Sequence, residues 1–404
     1  MKRLKLHFVH ICLLTLSLFL YGCNNNSVSP PSNSTEHTPM WPMFGYNGRH
    51  SCNPYGIKAT MQPVNSGTVN WIDTIGTYYQ FYDANELSVD ALGNIYFISN
   101  KTDSIHIIKF RPDGSINWEK PGFYSDHFYG FAFSSDEKRV YYHNEYGLTC
   151  IDSSGNTIWT FSGYSNGCLP AVAKDGTIYL CLNSALNSIS PDGNLKWSTI
   201  NINIPYSDPV IDRDENIYIF YSTGNYIYEL IKFNNNGNIL WRKTCSSNCV
   251  PLYVSTIVID GYNYIYFKAD SLYSLDKNGK SRWSKNNNGS LYVPAITSDN
   301  KIIADSTNYL ISLDTTGKTL WKTLIPNLNF GFSHSIALDD YDNAYFISEN
   351  VSSPSHAFSV DKSGNLRWDV QLPVAWPGYP GPVISPIGNL FTTPKRPYIV
   401  VSIK

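Results

Sequence analysis

The chain has 404 residues, 42% of them hydrophobic and 15% charged, with a formal net charge of −2. This composition excludes a disordered or collagen-like polymer, and the length suffices for one large domain or two ordinary ones. No basic run or stripe is present to neutralise phosphates, so nucleic acid is not expected as a partner.

The first residues set a compartment. Lys2, Arg3 and Lys5 form a basic start, Ile11 to Leu20 is an apolar run, and Leu20-Tyr21-Gly22-Cys23 follows. This order is that of a signal peptide over residues 1–22, and the run is shorter than the roughly 20 residues a membrane span needs. The Leu-Tyr-Gly-Cys quartet resembles the lipobox of bacterial lipoproteins. The resemblance implies cleavage before Cys23, lipidation of that cysteine, and, with Asn24 following it instead of aspartate, an outer-membrane location facing the periplasm or the cell surface. Residues 23–40 then read as a lipidated tether, since NNNSVSPPSNSTEHTP is polar and broken by proline. Removal of the leader leaves 27 basic against 32 acidic residues, a net charge of −5.

Residues 41–404 read as one domain, with an opening segment at 41–62 and repeats over 63–404. The skeleton G-x-x-x-W recurs eight times, at Gly67/Trp71, Gly114/Trp118, Gly155/Trp159, Gly193/Trp197, Gly237/Trp241, Gly279/Trp283, Gly317/Trp321 and Gly364/Trp368. Turn residues precede most copies (RPDG, DSSG, DKNG, DTTG), and alternating stretches such as LYSLD and YLISLD precede those. Each copy is therefore expected to be a hairpin with glycine at the positive-φ position and tryptophan on the outgoing strand. Upstream lies a second recurring element (GNIYF, GTIYL, ENIYI, DNAYF), and before it a small, β-branched third (LSVD, PAVA, DPVI, SIALD). Four strands per unit, with tryptophans 47, 41, 38, 44, 42, 38 and 47 residues apart, match the period of a propeller blade.

The ends of the chain fix the count. Residues 383–404 supply three strands without a following G-x-x-x-W, and NSGTVNW at 65–71 supplies the fourth. The predicted fold is all-β: an eight-bladed β-propeller of four-stranded antiparallel blades, its ring closed by the N-terminal strand completing the last blade. The repeats, together with WPMFGYNGRHS at 41–51, resemble those of pyrroloquinoline-quinone (PQQ)-like eight-bladed propellers. The resemblance implies that the repeated glycine and tryptophan dock adjacent blades, with each indole lying against its neighbour. The copies SSDEKRVYY in blade two and NKIIADS in blade six depart from the usual wording of the unit.

An enzyme of the quinoprotein dehydrogenase family would carry a vicinal cysteine pair over its cofactor, and some add a haem-type C-x-x-C-H; this sequence has neither, and no cofactor and no catalytic residue are expected. Gly163-Tyr164-Ser165-Asn166-Gly167 matches the G-x-S-x-G nucleophile elbow but falls between two strands, where that motif needs a helix. The histidines show no zinc spacing. Alternating carboxylates at Ile211–Asn216 and Asp339–Asn343 have a calcium-binding look, yet both fall where other blades have a hairpin turn. Six cysteines remain outside the leader and the lipid site, and Cys245 and Cys249 are the candidate disulfide.

Aromatic residues gather in the loops from each tryptophan strand to the next blade: Tyr79, Tyr82, Tyr129, Tyr164, Tyr206, Tyr253, Tyr292, Phe332, Trp376 and Tyr379. In a propeller these loops share one face, where rigid amphipathic rings serve either to pack the blade seams or to anchor a ligand. The expected function is a non-enzymatic, monomeric binding or scaffold propeller, tethered to the membrane by lipid and docked on another envelope protein. By resemblance to the propeller lipoproteins of the outer-membrane β-barrel assembly machinery, outer-membrane protein assembly is the expected setting. A surface glycan- or peptide-binding lipoprotein is the alternative, and a PQQ-dependent dehydrogenase a remote one.

Overall fold

A computed structural model describes residues 59–74, 87–101, 104–121, 130–144, 146–164, 168–199, 207–224, 227–245, 257–286, 293–326, 335–348, 354–375, 381–393 and 399–404. Every regular element among them is a strand, and the strands form eight four-stranded antiparallel sheets arranged as the blades of a propeller. Blade 3 shows the plan. Its first strand is Ala171–Val172, its second Ile178–Leu182, its third Ala185–Ile189 and its fourth Leu195–Ser198.

Burial along a blade explains its wording. The second strand of blade 3, IYLCL, is buried throughout, because neighbouring blades cover both of its faces and a continuous apolar run is what such a strand requires. The fourth strand, LKWS, is outermost and exposed except at the half-buried Trp197. Only the residues that turn toward the next blade need to be apolar there. A bulge precedes the tryptophan in all eight fourth strands: in blade 3 Ser188 pairs with Trp197 and Ile189 with Leu195, leaving Lys196 unopposed. Such an extra residue re-aims the side chain beside it, and here it turns the indole toward the adjoining blade.

The docking follows directly from these positions. A Cβ added at Gly193 would stand 2.7 Å from the Trp159 indole, and one at Gly237 2.9 Å from that of Trp197. Each glycine thus lies on the tryptophan of the preceding copy, around the whole ring. Gly114 meets Trp71, Gly155 meets Trp118, Gly279 meets Trp241, Gly317 meets Trp283, Gly364 meets Trp321, and Gly67 closes the circle on Trp368. Only glycine serves, since Gly193 also has φ +84° and a side chain at that angle is strained.

Each indole N–H donates to the turn that carries the glycine. Trp159 reaches the Pro191 carbonyl at 2.9 Å and Trp197 that of Asn235 at 2.9 Å. Trp118 donates to Ser153 at 3.0 Å, Trp241 to Lys277 at 3.1 Å, Trp283 to Thr315 at 2.9 Å and Trp321 to Lys362 at 3.1 Å. Trp71, Trp118, Trp159, Trp197, Trp241, Trp283, Trp321 and Trp368 are all half-buried and none is enclosed, because the outermost strand leaves one side of each ring to solvent.

Blade 8 joins the two ends of the described chain. Its strands are Val383–Ile384, Leu390–Thr392 and Ile399–Ile403, completed by Val69–Thr74. Thr74 pairs with Ile399 and Trp71 with Ser402. The closing dock differs slightly from the others, because the Trp368 N–H meets the Val64 carbonyl at 2.9 Å and Arg367 reaches Asn65 at 3.3 Å. The opening segment is fastened too, with the Met61 N–H on Asp340 Oδ2 at 2.9 Å and the Val64 N–H on the Tyr345 hydroxyl at 3.0 Å.

Candidate functional site

Antiparallel order gives a blade two ends. The turns joining first to second and third to fourth strands lie at one end, the turn face. Second-to-third hairpins and the loops to the next blade lie at the other, the loop face. Nine of the predicted loop aromatics, Tyr79, Tyr82, Tyr129, Tyr206, Tyr253, Tyr292, Phe332, Trp376 and Tyr379, lie outside the described residues.

Tyr164 is described, and it projects into solvent at 58% exposure. Its backbone is held on blade 3: the Tyr164 N–H donates to Asn183 Oδ1 at 2.8 Å, and its carbonyl accepts the Asn183 N–H at 2.7 Å. A second tyrosine stands beside it. Tyr146, on the second-to-third hairpin of blade 2, is 60% exposed, and its carbonyl accepts the Gly163 N–H at 3.0 Å. Gly147 fixes that corner, for at φ +137° an added Cβ would meet the Phe161 carbonyl oxygen at 2.1 Å. Sequence reasoning missed Tyr146 because it considered only the loops between blades, whereas the hairpin tips share their face. Tyr146, Gly147, Leu148, Thr149, Thr160, Phe161 and Ser162 line a cavity of about 320 Å³. Tyr146 thus stands beside the hydroxyl-bearing strand residues Thr149, Thr160 and Ser162, on backbone pinned between blades 2 and 3.

The calcium-like runs are turns whose leading carboxylates, Asp212 and Asp339, are engaged within the protein. Asp212 accepts from the N–H of Asp214 and Asn216, both at 2.9 Å, from Tyr218 Oη at 2.8 Å and from Lys232 Nζ at 3.0 Å. Asp339 accepts from Tyr341 and Asn343 N–H at 2.9 Å and from Tyr345 Oη at 2.8 Å, and burial raises its pKa above the ordinary carboxylate range. Among the described residues no group of three or more His, Cys, Asp or Glu is placed to hold a metal ion. The elbow-like Gly163-Tyr164 leads out of the strand Thr157–Ser162, and Ser165 to Gly167 lie outside the described residues.

The departures from the repeat wording now acquire a cause. Where the first-to-second turn has a glycine in blades 1, 3 and 8, it has Glu137, Glu215, Asn263, Asn300 and Asp342 elsewhere, all at positive φ. Four of these side chains latch the preceding blade. Glu137 Oε2 accepts from Ala91 N–H at 2.6 Å, Glu215 Oε2 from Lys174 at 3.3 Å, Asn300 Oδ1 from Gly261 at 2.7 Å and Asp342 Oδ1 from Ser298 at 2.7 Å. The left-handed strain of about 1–2 kcal/mol is offset by a bond that a glycine does not offer.

Cys245 is buried at the end of its strand, and its candidate partner Cys249 lies outside the described residues. Cys150, Cys168 and Cys181 are buried thiols. His143, fully buried in blade 2, donates to the Cys168 carbonyl, and burial drives its pKa from 6.5 down to about 3. Unfolded, a histidine titrates near ~6.5. Between those pH values the unfolded chain binds a proton that the folded one refuses, so stability falls as pH drops below about 6.5, by ~1.4 kcal/mol per unit. Acidification to pH 5 is therefore expected to remove about 2 kcal/mol through this side chain. Urea unfolding of wild type and His143→Gln at pH 7 and pH 5 should show the gap between them change by that amount; parallel losses would mean that His143 takes up its proton freely in the folded state.

The fold has a solved counterpart. The chain is similar to BamB from Moraxella catarrhalis, with a TM-score of 0.51 and 14% identity over 76% of this chain and 93% of that one. A functionally unknown protein from Desulfotomaculum acetoxidans also matches, with a TM-score of 0.48 and 14% identity over 68% of this chain and 95% of that one. No protein-family model matches, and no curated protein does. The likeness to BamB is one of fold.

Proposed function

We propose that the chain is a non-enzymatic, lipid-anchored member of the PQQ-like propellers that docks another cell-envelope protein on its loop face, with outer-membrane protein assembly as the setting. One observation carries this reading: Tyr146 and Tyr164 stand 60% and 58% exposed on that face, on backbone that three hydrogen bonds and a glycine corner keep from yielding. Exposed tyrosines on rigid supports are efficient anchors, because few torsions are frozen when a partner covers them. The fold shared with BamB and the lipobox-like Cys23 support the envelope setting.

The test is a photoreactive residue at Tyr146 or Tyr164 in living cells, with mass spectrometry of the captured material. Outer-membrane assembly components are expected. Capture of glycan, or no capture from either position, would overturn the protein-docking reading.

A further inference from the structure

Blade 3 brings the thiol of Cys168 against the backbone of a second cysteine, Cys181. Cys168 lies on the approach to the first strand and Cys181 within the second, and both are buried. The Cys181 N–H donates to Cys168 Sγ at 3.3 Å, and Cys168 Sγ lies 3.8 Å from the Cys181 carbonyl oxygen. Blade 4 has Ser207 at the corresponding place, where its Oγ accepts the Phe220 N–H at 2.9 Å. Accepting that N–H is the structural task of the position, and a hydroxyl performs it at closer range. The task does not call for sulfur, still less for a second cysteine beside it.

The surroundings hold the pair together from both sides. From blade 2 the His143 ring donates to the Cys168 carbonyl. From blade 4 Asp208 Oδ1 accepts the N–H of Leu169, the next residue, at 2.6 Å. The Cys168 backbone is thus fixed against the strand that carries Cys181.

We propose that Cys168 and Cys181 are an oxidation site that closes into an intrachain disulfide, pinning the first strand of blade 3 to its second. The oxidant is an organic disulfide. One thiolate attacks it and expels a thiolate, giving a mixed disulfide; the other thiolate attacks the protein sulfur of that bond and expels the second. Two protein thiols and one organic disulfide become one protein disulfide and two small thiols, with two electrons passed to the oxidant. Burial excludes the oxidant from the finished blade and pushes the Cys181 thiol well above its ordinary pKa, so the exchange belongs to folding. The same burial shields the finished bond from reductant.

The full chain, refolded with glutathione disulfide and reduced glutathione, then denatured and alkylated, should yield a Cys168–Cys181 linked peptide that is absent after refolding in excess dithiothreitol. The oxidised form should melt a few degrees higher, since closing the loop restricts the unfolded chain. Cys168→Ser, which keeps the acceptor that Ser207 provides in blade 4, should fold and leave Cys181 open to alkylation after denaturation. Alkylation of both cysteines in folded protein from the glutathione buffer would overturn the proposal, as would a Cys181 that remains blocked in Cys168→Ser. Supplied glutathione makes the outcome independent of where the protein resides.

Discussion

Trp159→Ala is expected to cost about 3 kcal/mol of folding stability, although this indole is only half-buried. A tryptophan buries on the order of 150–250 Å², at about 25 cal/mol per Å², and roughly half of that is realised at the edge of a blade. Its hydrogen bond to the Pro191 carbonyl at 2.9 Å adds about 1 kcal/mol. The ring also lies 5.9 Å from that of Tyr141, tilted by 36°, and truncation removes that contact too. Guanidinium unfolding measures the loss directly. A cost under about 1 kcal/mol would mean that the seam between blades 2 and 3 is held by the inner strands alone.

A larger effect is expected inside blade 4. Lys232 and Asp212 are at most 8% exposed, with Nζ 3.0 Å from Oδ2 and 4.9 Å from the centre of the Tyr218 ring. Lys232→Met preserves most of the volume but leaves the carboxylate buried without its cation, for which about 3–5 kcal/mol is typical. Adding Asp212→Asn should recover much of the loss. A deficit under about 1 kcal/mol would show that Asn216 and Tyr218 satisfy Asp212 unaided. The same design recurs with other cations: Asp90 with Lys109 at 3.1 Å in blade 1, and Asp260 and Asp339 linked through Tyr266 and Tyr345 to Arg282 and Arg367.

The ring was legible in the sequence because its determinants are local. A glycine for a left-handed turn and a tryptophan four residues on are written within one hairpin, and the incomplete units at 65–71 and 383–404 declare the closure. What lies on the other side of each seam came from the family resemblance and not from the residues of the repeat themselves. Nothing in GNLKW says that its glycine will rest on the tryptophan of the preceding copy. SSDEKRVYY and NKIIADS read as flawed repeats, whereas Glu137 and Asn300 are latches to turns 46 and 39 residues away. The carboxylates at 211–216 and 339–343 suggested a cation in general terms; the lysine that satisfies Asp212 comes from the third strand, beyond any motif's reach. On the loop face, Tyr164 was read from its loop and Tyr146 was not, because a hairpin tip carries no period that marks it as a neighbour.

The central claim is that the repeated glycine and tryptophan are the two halves of one inter-blade dock, and a double-mutant cycle at Gly193 and Trp159 tests it most directly. Gly193→Ala forces a methyl to within 2.7 Å of the indole at φ +84°, and about 2–3 kcal/mol is expected from strain and displacement together. In the Trp159→Ala background only the left-handed strain of about 1 kcal/mol should remain, giving a coupling of about 1–2 kcal/mol. Strictly additive costs would mean that the two residues act separately, and the account of how the blades are joined would fail.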